Sequence, residues 1–89
     1  MNTDFQVERE MPKYQSHKQV WALKIKSIGL DEDGGAFIIP EEKGYGEFKV
    51  DQGYVDKHKP QAGGYYVVYA DGYKSFSPAQ PFEEGYTRL

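Results

Sequence analysis

The chain has 89 residues, of which 38% are hydrophobic and 28% charged, and a formal net charge of −3. That length holds one small domain with a small core. The negative charge excludes a general DNA- or RNA-coating role, and the lack of any apolar run of 18 residues excludes a membrane-spanning helix. With no Cys, the sequence cannot build disulfides, Cys-zinc sites or a thiol nucleophile. Eight Tyr, five Phe and one Trp make the chain 16% aromatic, which is more than so small a core can hide.

Residues 1–12 are polar and aperiodic, without the apolar stretch of a secretory signal, and read as a flexible tail. Residues 13–89 read as a single α+β domain. Val20–Ile28 alternates Trp21, Leu23 and Ile25 with Ala22, Lys24 and Lys26, the pattern of a strand apolar on one face. Gly29–Gly35 is a hairpin loop with three acids. Ala36–Ile39 is a short strand stopped by Pro40, and Glu47–Val50 is a third. Asp51 then has the chemistry of a helix N-cap, with Val50 and Val55 placed as a hydrophobic staple for a helix over Gln52–His58. Lys57, His58 and Lys59 complement its C-terminal dipole, and Pro60 ends it.

Tyr65–Ala70 and Tyr73–Ser77 flank Asp71-Gly72, which predicts a hairpin with a two-residue type I′ turn. That turn would pair Val68 with Ser75 and Val67 with Phe76. Tyr65, Val67, Tyr69 and Phe76 would share one face, and Tyr66, Val68, Tyr73 and Ser75 the other. Ser77 followed by Pro78 fits the cap and first position of a helix over Pro78–Glu84, with Gly85 as its C′ residue. The whole predicts a small, strongly bent antiparallel sheet of about five strands, like a partly open barrel, with two short helices.

Most catalytic chemistry is absent from the pattern. His17 and His58 have no third partner at metal-ligand spacing, so no metal site and no cofactor is expected. Asp31-Glu32-Asp33-Gly34-Gly35 satisfies only the first two ligand positions of an EF-hand loop and reads as a solvated turn. Ser16-His17 would diverge on a strand, and there is no Gly-x-Ser-x-Gly elbow. No catalytic residue is assigned, and the chain is read as a non-enzyme. The aromatic surplus carries the functional signal. Tyr and Trp rings stack on bases and fill interfaces, while Lys holds phosphate. Trp21 and Lys24 on the first strand, with Tyr69, Tyr73, Lys74 and Ser75 on the hairpin, are therefore the candidate ligand contacts.

Two stretches resemble a group of short proteins encoded by tailed phages and prophages. They are Lys13-Tyr14-Gln15-Ser16-His17-Lys18-Gln19-Val20-Trp21-Ala22-Leu23-Lys24-Ile25 and Gly63-Gly64-Tyr65-Tyr66-Val67-Val68-Tyr69-Ala70-Asp71-Gly72-Tyr73-Lys74-Ser75-Phe76-Ser77-Pro78, with Phe82-Glu83-Glu84-Gly85-Tyr86 following. The resemblance implies a viral accessory protein working in the host bacterial cytoplasm. On that footing the first expectation is an anti-defence protein that binds a small anionic, nucleotide-derived signal, as a homo-oligomer with pockets between protomers. The alternatives are an inhibitor of a host or defence protein, in the manner of an anti-CRISPR, and a minor virion or assembly protein.

Overall fold

A computed structural model of the chain describes Pro12 and residues 18–89. Apart from Pro12, the tail expected over 1–12 lies outside the described residues, as does His17. The elements run β1 (Val20–Leu30), β2 (Ala36–Pro40), β3 (Phe48–Val50), α1 (Gln52–His58), β4 (Tyr65–Tyr69), β5 (Lys74–Ser77) and α2 (Ala79–Gly85). The five strands form one antiparallel sheet in the order β3-β2-β1-β4-β5. It is strongly bent into a half-barrel.

The bend originates in β1, which serves two partners. Val20–Lys24 pairs with β4, and Ile25–Leu30 pairs with β2. Between Ile25 and Ser27 the register slips by one residue, a bulge that kinks the strand and increases its twist. The slip also resets the side-chain alternation, so Ile25 and Ile28 both serve the core. Ile25 itself bridges the two ladders: its N–H donates to the Gly64 carbonyl, and its carbonyl accepts the Gly63 N–H, each at 2.8 Å.

The core sits inside this bend. Ile25, Ala36, Ile38, Val50 and Tyr54 form its buried centre, with Ile28, Phe48, Val55, Tyr66 and Phe76 packed around them. Helix α1 closes it as the sequence predicts. The Asp51 carboxylate accepts the Tyr54 N–H at 2.8 Å, and Lys59 ends the helix in the left-handed region at φ 48°. Val50 is in the core and Val55 packs against it, as the staple requires. From α1, Tyr54 reaches across and donates its hydroxyl to the Ser75 carbonyl of β5 at 2.6 Å. The helix thus ties the β3 end of the sheet to β5, its opposite edge strand.

Three local expectations need correction. The β4–β5 hairpin pairs Val68 with Lys74, Val67 with Ser75 and Tyr66 with Phe76, one residue away from the two-residue-turn register. Its loop is Ala70-Asp71-Gly72, closed by Gly72 N–H to Tyr69 O and Tyr69 N–H to Tyr73 O. A type I′ turn needs positive φ at both central residues, and only Gly72, at +89°, takes it. The one-residue shift flips β5, so Phe76 joins Tyr66 in the core instead of facing away from it. Ser77 is not a helix cap. It remains in the β5 ladder opposite Tyr65, its hydroxyl donates to the Pro78 carbonyl, and the helix starts one residue later. Gly85 is the last residue of α2 rather than C′; Tyr86, in extended conformation, caps it.

Candidate functional site

Antiparallel partners share a face of the sheet, so the register sorts the candidate residues. Across β1, β4 and β5 one face carries the rows Trp21–Val68–Lys74 and Leu23–Tyr66–Phe76. Leu23–Tyr66–Phe76 leads into the core, and Trp21–Val68–Lys74 continues it outward. Trp21 is 63% exposed there. The opposite face carries Ala22–Val67–Ser75 and Lys24–Tyr65–Ser77, with Val20 opposite Tyr69 beyond them.

Helix α2 covers this second face. Phe82 stacks on Tyr65 with centroids 4.1 Å apart, and Tyr86 stacks on Phe82 at 4.7 Å. Val67 is only 2% exposed. The Tyr65 hydroxyl donates to Glu83 Oε2 at 2.7 Å, which pushes the Tyr65 hydroxyl pKa up and holds the Glu83 carboxyl below its ordinary range. Lys24 Nζ lies 3.5 Å from the same carboxylate oxygen and 5.9 Å from the Tyr65 ring centre. Lys24 is thereby committed to fastening α2, away from Trp21 and Lys74.

The hairpin end gathers the other candidates. Tyr69 and Tyr73 stack at 5.9 Å. The Tyr73 hydroxyl lies 3.3 Å from His58 Nε2 at the end of α1, and Lys57 Nζ stands 5.1 Å from the Tyr73 ring centre. His58 in turn packs 4.9 Å from the Tyr54 ring. Sequence reasoning placed His58 as a helix-end cation and did not foresee this contact with Tyr73; only the corrected hairpin register and the end of α1 bring the two together. Ser75 contributes its backbone carbonyl, already taken by Tyr54.

Lys74 lines an open groove of about 410 Å³ together with Asp33, Lys49, Val50, Asp51 and Tyr54. The groove's other charges are internally satisfied. Lys49 lies 2.9 Å from Asp31 and is also bonded to Asp33, which holds both carboxyls below the ordinary Asp range and raises the Lys49 ammonium. Asp51 caps α1. The acidic loop that superficially suggests calcium is instead clamped by the Lys49 cation from β3. Among the described residues, no group of three or more His, Cys, Asp or Glu is placed to hold a metal ion. No helix among them is long and apolar enough to cross a membrane.

The six predicted contacts thus fall into four settings. Trp21 and Lys74 share the outer row of the core face, Tyr69 and Tyr73 stack at the hairpin end, and Lys24 is bound under α2. Ser75 presents a satisfied edge carbonyl. Aromatic rings and lysines held in this way on an open surface suit contact with another surface more than enclosure of a small ligand.

The architecture defines a class: a small α+β half-barrel of five antiparallel strands whose open side is bridged by a short helix. Within that class, the chain is similar to the solution NMR structure of the monomeric form of the phage L decoration protein. The TM-score is 0.63 at 30% sequence identity, over 79% of this chain and 52% of that one. The chain therefore spans about half the length of that protein. No family model and no curated protein matches it.

Proposed function

We propose that this chain is a non-enzymatic phage accessory protein that decorates the virion by binding the outer surface of the capsid. The observation that carries this reading is the similarity in fold and sequence to the phage L decoration protein over most of this chain. The resemblance to short tailed-phage proteins points the same way. A surface-to-surface role also suits a chain whose hollows are open grooves and whose rings are exposed. The protein would be made in the host cytoplasm and act on the particle.

The nucleotide-signal reading draws less support. Lys24 and Trp21 lie on opposite faces, and the groove at Lys74 is lined by two carboxylates, a poor setting for an anion. Proteomic analysis of purified particles made with and without the gene tests the proposal. The chain is expected in wild-type particles and should cosediment when the purified protein is added to gene-deleted ones. Absence from the particles together with no cosedimentation would overturn it.

A further inference from the structure

The two helices are held in different ways. Helix α1 is capped by Asp51, sends Tyr54 into the core and carries Lys57 and His58 in its last turn, where cations suit the helix dipole. Helix α2 has none of this. No side chain caps its start, no acid stands in its first turn and no base in its last. Glu83 and Glu84 fall in the last turn instead, the unfavourable end for negative charge. None of its seven residues is buried, and only Ala79 and Phe82, three apart, are half-buried. A helix this short has almost no stability of its own, so α2 depends on what it touches.

Those contacts lie at the surface. Phe82 stacks on both Tyr65 and Tyr86, and the Glu83 carboxylate accepts the Tyr65 hydroxyl beside Lys24. Past the helix, Arg88 forms a two-pronged bond to Glu42, at 2.8 and 2.9 Å, that fastens the tail to the loop after β2. The Arg88 side chain is largely exposed, and ion pairs of that kind hold weakly. At the other end Pro78 alone joins β5 to α2. Beneath the helix, Val67 and its partner Ala22 lie on the face opposite the main core, and Val67 is buried without belonging to the core cluster.

We propose that α2 is a strap that lifts from the sheet as one piece, hinged at Pro78 and released at the Arg88–Glu42 clasp, while the half-barrel stays folded. The half-barrel does not rely on it, because the core cluster contains no residue of α2. The strands below keep their ladder pairing in either state. Lifting uncovers the Ala22–Val67 strip and the Tyr65 ring, so the state of one helix hides or presents an apolar stretch of the sheet.

The chain has no Cys, so a single introduced thiol reports on one position. Val67→Cys, Ile38→Cys and Lys43→Cys place it under the strap, in the main core and in an exposed turn. Each full-length variant is reacted with an excess of an aromatic disulfide reagent. Val67→Cys should react about 100-fold faster than Ile38→Cys, yet slower than Lys43→Cys. Urea below the unfolding transition should barely change the Val67→Cys rate and should speed Ile38→Cys, which waits for global unfolding. Adding Phe82→Ala removes both ring stacks and should raise the Val67→Cys rate about tenfold while leaving Ile38→Cys unchanged. Amide exchange of the wild-type chain needs no thiol and decides alone if a variant fails to fold. The Phe82 and Tyr86 N–H groups, bonded to the Pro78 and Phe82 carbonyls, should exchange without urea dependence, and the Ile25 N–H with it. Equal rates and urea dependence at Val67→Cys and Ile38→Cys, a Phe82→Ala effect on both alike, or one urea dependence shared by the three amides overturns the strap. A Val67→Cys thiol as reactive as Lys43→Cys also overturns it, because α2 would then have no closed state.

Discussion

Gly64 offers the sharpest test of how the core is assembled. It is buried just before β4, and a Cβ built on it would stand 2.4 Å from Cε1 and Cζ of Phe76 and 2.8 Å from the Ser77 carbonyl. Ordinary contacts to a Cβ begin near 3.4 Å, so Gly64→Ala requires the Phe76 ring to retreat by about an ångström. It has little freedom to do so. Phe76 is packed against the central cluster, and the Ser77 carbonyl on the other side is fixed by the β4–β5 ladder. Overpacking of this kind costs about 1–3 kcal/mol, and two rigid neighbours place Gly64 near the upper end. The backbone at Gly64 lies outside the left-handed region, so alanine also recovers about 0.4–1 kcal/mol by restricting the unfolded chain. The net expectation is a loss of about 2 kcal/mol, or roughly 8–16 °C in Tm for a domain of this size. Urea and thermal unfolding followed by circular dichroism measure it. The same substitution made in a Phe76→Leu background, where the ring is gone, should cost at least about 1 kcal/mol less. A loss below about 0.5 kcal/mol, or an equal loss in both backgrounds, would refute the steric argument.

Other expectations follow from the ties around the core. Tyr54→Phe keeps the ring but removes the bond to Ser75, so stability should fall by about 1 kcal/mol, and amide exchange in β5 should speed up; unchanged melting and exchange would mean that the hydroxyl does not secure that edge. At acid pH, Asp31 and Asp33 have pKa values lowered chiefly by their bonds to Lys49. A lowered folded-state pKa gives stability that is present above the unfolded value near 4 and lost as pH falls through the folded value. Tm should therefore drop only below about pH 4, and Lys49→Met should flatten part of that drop; a Tm–pH profile with the same acid limb in both proteins would count against the clamp. At alkaline pH the sign reverses. Burial raises the Tyr54 hydroxyl pKa, so its stabilisation is intact below about pH 10 and lost above it. An ultraviolet titration should find at least one tyrosine that ionises only as the protein unfolds.

Much of the fold is legible in the residues. The alternation of Trp21, Leu23 and Ile25, the Asp51 cap and the Gly64–Tyr65 start of the hairpin all report local geometry, and their elements lie where the pattern puts them. Helix α1 matches over Gln52–His58 because cap, staple and C-terminal cations are short-range signals that agree. What sequence periodicity could not supply is phase. A bulge such as that after Ile25, or a hairpin loop of three residues instead of two, shifts alternation by one without changing composition. The hairpin error turned Phe76 outward, while the cap chemistry of Ser77-Pro78 misassigned Ser77, which stays in the ladder opposite Tyr65. The candidate site failed for a different reason, because it grouped residues that the alternation itself separates. Trp21 and Lys24 are three residues apart on a strand and so face opposite sides, which alternation alone reveals. The clamping of the acidic loop by Lys49, and the meeting of His58 with Tyr73, join residues distant in sequence. They become visible only once β3 and α1 are placed.

The division of β1 between two ladders has a consequence for how the chain reaches this state. The β1–β2 and β4–β5 hairpins are each closed by short loops and can form from near neighbours. Pairing Val20 with Tyr69 must instead close a loop containing most of the domain, and that entropy is spent before the contact repays it. Because both hairpins meet on this one strand, neither possesses a complete core beforehand. Assembly should be governed by their late encounter along β1, and the two halves should gain and lose structure together as a single cooperative unit rather than in succession.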